Sequence, residues 1–282
     1  MSRLILSRKG FDSAAGRRDS PVLPDGRIVS LPIPGPPGPA YRDLRLDGGA
    51  SYADLMHRLG IEALDGIPTA NAYAHADPDL EYGRATRSGG WLPLFGQADQ
   101  AQSHLRNQGV GAGDIFVFFG RFSCTHATAD QRLRYVGSPF HLIWGYLEVE
   151  KVIDVAEAKR FEPWMSDHVH IKFRNRVRWR NNTVYVAREQ SSFRPTLPGG
   201  GIFRAHDSRL RLTQPGGPLS TWRLPMAFHP SKTMHRLTWN AETRWTSQDE
   251  HAVLRAASRG QEFVVEVNEG IHDWLRELLT LA

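Results

Sequence analysis

The chain has 282 residues, 40% hydrophobic and 23% charged, which is enough to bury a substantial core and excludes disordered, fibrous and collagen-like classes. A formal charge of +5 with a pI near 9.5 is mildly basic, so nucleic acid or another polyanion stays open as a partner until the charges are placed. One cysteine, Cys124, excludes an intrachain disulfide and a cysteine-rich zinc site, and the chain shows neither an apolar run of about 18 residues nor a signal-peptide core; the expectation is a cytoplasmic protein with no membrane partner.

A short apolar strand, Leu4-Ile5-Leu6, delivers Ser7, Arg8, Lys9 and Asp12 into a glycine turn, and a second apolar strand is expected over residues 28–33 after the Asp25-Gly26 turn. Strand-to-loop junctions are where sheets carry functional groups, because the strand fixes the position while the loop exposes the side chain. Arg8 and Lys9 beside Asp12 suit an anionic substrate: the cations neutralise phosphate, and the carboxylate acts as a base or orients a hydroxyl. A surface turn with a solvated ion pair is the plain alternative.

Residues 34–39, Pro-Gly-Pro-Pro-Gly-Pro, form a stiff loop that no helix contains. Ser51 then caps a short amphipathic helix with Tyr52, Leu55, Met56 and Leu59 on its apolar stripe. In the stretch His75-Ala-Asp77-Pro-Asp79-Leu-Glu81, a histidine and carboxylates at every second position could serve as an acid/base pair or take a divalent ion. Pro78 favours a turn there, and the spacing matches no strong ligand motif, so no metal is assigned.

Residues 97–108 read as a helix, with Gln102 able to read a base edge or to cross to a neighbouring strand. Two buried strands are expected over residues 115–122 and 140–153, joined by a polar excursion at 124–137. Gly145 inside the second suggests a bulge or a close approach, and His141 at its head is a candidate functional imidazole or a buried, satisfied one.

From His168 to Arg180 every even position is basic or titratable: His168, His170, Lys172, Arg174, Arg176, Arg178 and Arg180. In extended chain these side chains share one face, roughly 6.6 Å apart, and such a row could follow a nucleic-acid backbone. A solvated face of an edge strand gives the same pattern. Asn181-Asn182 would turn this strand into a hairpin with Thr183-Val-Tyr-Val-Ala187.

The glycine stretch 198–201 is expected as a loop, and it lacks the lysine and hydroxyl of a phosphate-binding P-loop. Short strands follow at 210–213 and 221–225; with Arg8, Gln102 and Arg121, the cations Arg211 and Arg223 are candidate substrate or phosphate contacts, and Arg204 and Arg244 could gather with them. The aromatic run Trp222, Phe228, Trp239 and Trp245 suits a core or a base-stacking platform. Ser247 with Glu250 has capping-box spacing for a helix, residues 261–267 read as a strand, and 271–281 as a closing amphipathic helix. The βαβ rhythm is absent, so the expected fold is α+β: one compact domain over 1–282, with a mixed, strongly curved, even barrel-like sheet and short flanking helices.

Several of these stretches carry a resemblance. Ser-Arg-Lys-Gly-Phe-Asp-Ser at 7–13, Ser20-Pro21, Pro24-Asp25-Gly26 and the Ser-Leu-Pro-Ile-Pro at 30–34 resemble the opening of the nucleotide modification associated domain 3 family of DNA base hypermodification proteins. Phe95-Gly-Gln-Ala, Gln102-Ser-His-Leu-Arg-Asn-Gln-Gly-Val, Asp114-Ile-Phe-Val-Phe-Phe-Gly-Arg-Phe, His141-Leu-Ile-Trp-Gly-Tyr-Leu, Asn181-Asn-Thr-Val-Tyr-Val-Ala and Trp222-Arg-Leu-Pro extend the likeness over nearly the whole chain. Arg17-Arg18 departs from the small residues that family members tend to carry there.

The resemblance implies an enzyme acting on a nucleotide or on a base in DNA rather than RNA, in a phage or defence-associated modification system that could supply partner proteins. It implies no particular cofactor. On that reading Asp12 and Lys9 stand at the active centre, Arg8 and Lys9 hold phosphate, His141 or His75 is the second acid/base group, and the basic row 168–180 holds the polynucleotide. The reaction is group transfer to a base or glycosidic-bond cleavage. The stretch from Gly145 to Val152 is similar to the central strand of PUA-like β-barrels, which implies a non-catalytic reader with an aromatic pocket near Trp144 and Tyr146.

Overall fold

A computed structural model describes residues 2–234, 236–258 and 260–282. In chain order its elements are β1 (Arg3–Arg8), β2 (Ser20–Val22), α1 (Tyr52–Arg58), β3 (Ala63–Leu64), β4 (Ile67–Pro68), β5 (Leu94–Gln97), α2 (Asp99–Asn107), β6 (Ile115–Ala127) and β7 (Leu133–Asp154). There follow α3 (Val169–Lys172), β8 (Thr183–Ala187), β9 (Gly200–Ile202), β10 (Thr221–Pro225), β11 (Trp245–Gln248), β12 (His251–Arg255), β13 (Glu262–Glu266) and α4 (Glu269–Leu278).

The main sheet is mixed and eight-stranded, with its path running β13-β1-β6-β7-β8-β5, while β2 pairs with β6 and β9 with β7. The run Leu4-Ile5-Leu6 is fully buried, as a strand covered on both faces must be. Accordingly β1 sits between β13 on its antiparallel side and β6 on its parallel side. Among the described residues the end strands β13 and β5 share no ladder, so the sheet is open; the expectation of a strongly curved, barrel-like sheet was wrong, and the PUA-like barrel falls with it. Closure depends on pairing between the first and last strands of a sheet, which strand-by-strand periodicity does not report.

A second sheet, β10-β12-β11, and the amphipathic α4 pack against the same apolar core as β1, β6 and β7. A smaller cluster beneath residues 23–74 is built on α1, which Ser51 caps as expected, in a capping box with Asp54. Such a cap is worth about 1 kcal/mol. Among the described residues no helix is long and apolar enough to cross a membrane.

Four local expectations are corrected by the pairing that forms. The polar stretch 124–137 is the tip of a long β6-β7 hairpin, its turn closed by Thr128 and Gln131. Residues 28–33 form no strand, only a bridge from Ile28 to Val22. The glycines at 199–201 approach the chain too closely to be a free loop, and β9 pairs with β7 there. Ser247 caps no helix: it belongs to the β11-β12 hairpin, turned by Asp249 at φ 52°.

The row from His168 to Arg180 is not a strand either. His168 precedes the one-turn α3, residues 173–176 continue as turns, and β8 pairs with β7 and β5 instead of with this row. His168 and His170 are buried, whereas Lys172, Arg174, Arg176, Arg178 and Arg180 are exposed. The alternation thus records two separate demands, an interior histidine pair and an exposed cationic turn.

Candidate functional site

Both β1 and β2 pair in parallel with β6 along one edge, Arg8 beside Phe119 and Ser20 beside Phe122. Residues 9–19 leave the sheet between them. The Lys9 amide still donates to the Phe119 carbonyl (2.8 Å), after which Gly10 at φ +90° turns the chain outward. Gly120 of β6 has no side chain because a Cβ there would stand 2.6 Å from the Lys9 carbonyl oxygen. Asp12 closes the excursion on itself, its Oδ1 accepting from the Ala14 and Ala15 amides at 2.7 Å each. This interrupted strand forms one wall of a cleft of about 1010 Å³.

Lys9 and Glu262 of β13 lie in the cleft as an ion pair at 2.8 Å, with side chains only 12% and 1% exposed. Gln97 at the end of β5 donates to the same Glu262 Oε1 (2.6 Å), so the two end strands meet here through side chains. Glu262 Oε2 is buried and has no hydrogen-bond partner among the described residues. Such an acceptor is costly when left dry, and a ligand N–H or O–H would satisfy it. Arg8 donates to the Gly260 carbonyl (2.7 Å), and burial pushes its guanidinium pKa down against the pull of Asp12 and Glu262.

Beside this lies a histidine cluster. Asp77 Oδ1 accepts from the Gly96 amide (2.8 Å) and from His168 Nε2 (3.0 Å), while Oδ2 faces His170 Nε2 at 3.9 Å. Burial pushes the Asp77 carboxyl up, but the hydrogen bond from His168 and the neighbouring imidazoles outweigh it and hold the carboxyl at about 2. His170 is brought down to about 4, first by burial and then by His168 and His75, against the pull of Asp77. His75 is lowered by burial as well, with Asp77 opposing. One donor atom from each of His75, Asp77 and His170 lies within 4.8 Å of the others, a set able to hold a metal ion.

Two indoles complete the cleft. Trp179 stacks on His170 (4.5 Å between centroids, 15° between planes), and Trp239 packs on His104 of α2 at 4.5 Å. Trp239 is 54% exposed and sits at φ 68°, a left-handed conformation strained for a bulky residue, with its Nε1 donating to the Glu262 carbonyl (3.0 Å).

The cleft therefore gathers Arg8, Lys9, Asp12, His75, Asp77, His170 and Trp239 from among the residues that sequence pattern points to. The others lie elsewhere. His141 is buried against Phe119 and Trp222, and its Nδ1 accepts from Trp222 Nε1 (2.9 Å). Burial, then Arg8 and Arg121, lower its pKa to about 3, which suits a packed neutral imidazole. Gln102 faces inward and accepts from the Tyr185 hydroxyl (3.0 Å), so it reads no base from there.

Arg121 pairs with Asp19, Arg204 with Asp47, Arg211 lies over the Phe140 ring and Arg223 is exposed on β10. Arg244 donates to the Arg255 carbonyl, so these arginines are spread over separate partners. Tyr146 is buried with its hydroxyl on the Pro198 carbonyl, and Trp144 borders a small cavity of about 120 Å³. Asp79 and Glu81 turn away to Arg87 and Arg84.

Sequence pattern passes over Glu262, Gln97, Trp179 and Asn182. Glu262 had a signal, a charge opening an otherwise apolar strand; the others become visible only when distant segments meet. A family model described as nucleotide modification associated domain 3 matches residues 3–266. Among curated proteins and solved structures nothing matches the chain.

Proposed function

The chain belongs to the nucleotide modification associated domain 3 family, and from that premise we propose that the cleft at the end of β1 takes a nucleotide unit, free or turned out of DNA, and modifies it at the base. The observation that supports this reading most is Trp239: an exposed indole held in a strained backbone conformation over a cleft that also contains Arg8, Lys9 and Asp12. Stacking on an indole is worth about 1–3 kcal/mol per base and is indifferent to sequence. A base turned out of a duplex needs such a face, and also polar groups for its edge. Glu262 Oε2 is the acceptor available to that edge.

In this reading Arg8 and Lys9 neutralise phosphate and Asp12 takes or orients a proton. Asp12 has one oxygen committed to its own loop, which fixes the direction of the other. The exposed cations Lys172, Arg174, Arg176, Arg178 and Arg180 lie in the segment that places Trp179 in the cleft, so a polynucleotide backbone could follow them to it. The same residues support group transfer to a base or cleavage of a glycosidic bond, and the product tells these apart.

The test is incubation of the pure protein with modified and unmodified DNA and with free nucleotides, followed by mass spectrometry of the nucleosides. A new nucleoside mass marks transfer, a released base marks cleavage. Asp12→Asn should abolish turnover with binding kept within about twofold; retained turnover removes Asp12 from the chemistry. Binding that depends on base modification, without any turnover, would replace the enzyme with a reader.

A further inference from the structure

We propose that His75, Asp77 and His170 form a site for a first-row divalent transition-metal ion of the Zn²⁺ or Fe²⁺ kind, open on the cleft side. The argument begins with a proton. Asn182 Nδ2 donates to the His170 carbonyl (2.9 Å), which fixes the amide so that its Oδ1 faces His170 Nδ1 at 2.6 Å. An amide oxygen only accepts, so Nδ1 carries the hydrogen, and in the neutral ring that leaves Nε2 as a bare lone pair.

That lone pair looks at Asp77 Oδ2 across 3.9 Å. Oδ1 of the same carboxylate already takes two hydrogen bonds, from His168 and Gly96, and no donor among the described residues is seen to reach Oδ2. Two acceptors facing each other with no proton between them repel, and 3.9 Å is too long for a hydrogen bond. A shared cation reverses the sign of that contact. Donors each about 2.0–2.2 Å from one ion stand roughly 3–4 Å apart, and His170 Nε2 and Asp77 Oδ2 are 3.9 Å apart.

His75 supplies the third donor, its ring edge-on to His170 at 5.3 Å between centroids. A knot of hydrogen bonds would look different: His170 Nε2 would then donate to Asp77 near 3 Å, and Asn182 would not hold the ring's one hydrogen.

The supporting residues behave as outer partners that aim a ligand. Gly96 lacks a side chain where a Cβ would stand 2.2 Å from His170 Cδ2, and Trp179 stacks on the same imidazole. The ring is therefore clamped between β5 and an indole. Two neutral imidazoles and one carboxylate suit borderline ions and not magnesium or calcium, which prefer oxygen. Three protein ligands leave further coordination positions for water or a substrate atom, as in catalytic rather than structural sites.

This inference is independent of the nucleotide reading, because it is tested on the protein alone. The untagged full-length chain, stripped with chelator, is titrated with Co²⁺ as an optical probe, then with Zn²⁺, Fe²⁺ under nitrogen, and Mg²⁺. The expected result is a visible-range absorption band complete at one equivalent of Co²⁺, displaced by Zn²⁺ or Fe²⁺ and untouched by millimolar Mg²⁺. His75→Ala and His170→Ala should lose the band, Asn182→Ala should weaken binding about 10- to 100-fold, and His126→Ala, on the exposed hairpin arm, should keep it. Absence of a one-equivalent band in folded wild-type protein, or a band that survives in both cleft variants, overturns the proposal. The wild-type titration decides even if a variant fails to fold.

Discussion

His141 and His170 are both buried, both carry a depressed pKa and both have one ring nitrogen tied by a hydrogen bond, yet they do different work. His141 sits in an aromatic box of Phe119 and Trp222, and its hydrogen bond from the indole satisfies it within the core. His170 uses Nδ1 on Asn182 and turns Nε2 toward a carboxylate oxygen beside an open cleft. A buried histidine is thus no sign of chemistry in itself. What separates the two regions is the surroundings of the second nitrogen: packed rings in one case, a charged acceptor and a cavity in the other.

The largest expected effect lies at the polar end of that comparison. Glu262→Ala leaves Lys9 buried without its counterion, and breaking a buried pair from one side costs about 3–5 kcal/mol. Urea denaturation checks it. Lys9→Met combined with Glu262→Leu should recover most of that stability while leaving a cleft that binds no nucleotide. Recovery of binding in the double variant would show that the pair is architecture and not site.

Gly96→Ala comes next. Its Cβ would stand 2.2 Å from the His170 ring, so the imidazole must swing out. Overpacking of this kind costs about 1–3 kcal/mol, and Co²⁺ binding should disappear while the His141 region is undisturbed. Trp222 fluorescence unchanged alongside lost metal binding is the expected pattern. Unchanged metal binding would mean that His170 is not a ligand.

Sequence pattern reports one half of this comparison far better than the other. Leu4-Ile5-Leu6, α1 with its Ser51 cap, α2, the cores of β6 and β7, β8, β10, β13 and α4 all follow from periodicity and local caps, because those signals act within a few residues. The strand-end placement of Arg8, Lys9 and Asp12 also follows, since a polar run after an apolar strand has to leave the sheet. The row at 168–180 misleads because His168 and His170 are drawn inside by Asp77, about ninety residues away in the chain, and no local pattern distinguishes an interior histidine from an exposed arginine. Asn182, Gln97 and Trp179 gain their roles only through such meetings. Sheet closure fails to show for the same reason.

Trp222→Phe probes the apolar region by removing the N–H that His141 Nδ1 accepts. An unpartnered buried acceptor costs about 2 kcal/mol, readable as a lower urea midpoint, and metal and nucleotide binding in the cleft should be unaffected. Any loss of cleft binding in this variant would mean that the two regions are coupled through β1 and β6.

The smallest signal at any single pH step is the titration of His141. Its pKa falls from 6.5 in the unfolded chain to about 3 in the fold, chiefly through burial and then through Arg8 and Arg121. Between those values the unfolded chain binds a proton that the native one refuses, so stability is full above pH 6.5 and declines as pH falls toward 3. The slope from one such proton is about 1.4 kcal/mol per pH unit. His141→Phe should flatten the measured dependence of unfolding free energy on pH by about that slope, whatever it does to stability at neutral pH. Comparing slopes removes the packing change from the result, since a volume mismatch shifts all pH values alike. An unaltered slope would mean that the imidazole reaches solvent when protonated, and the distinction drawn between the two histidines would then rest on geometry at Nε2 alone.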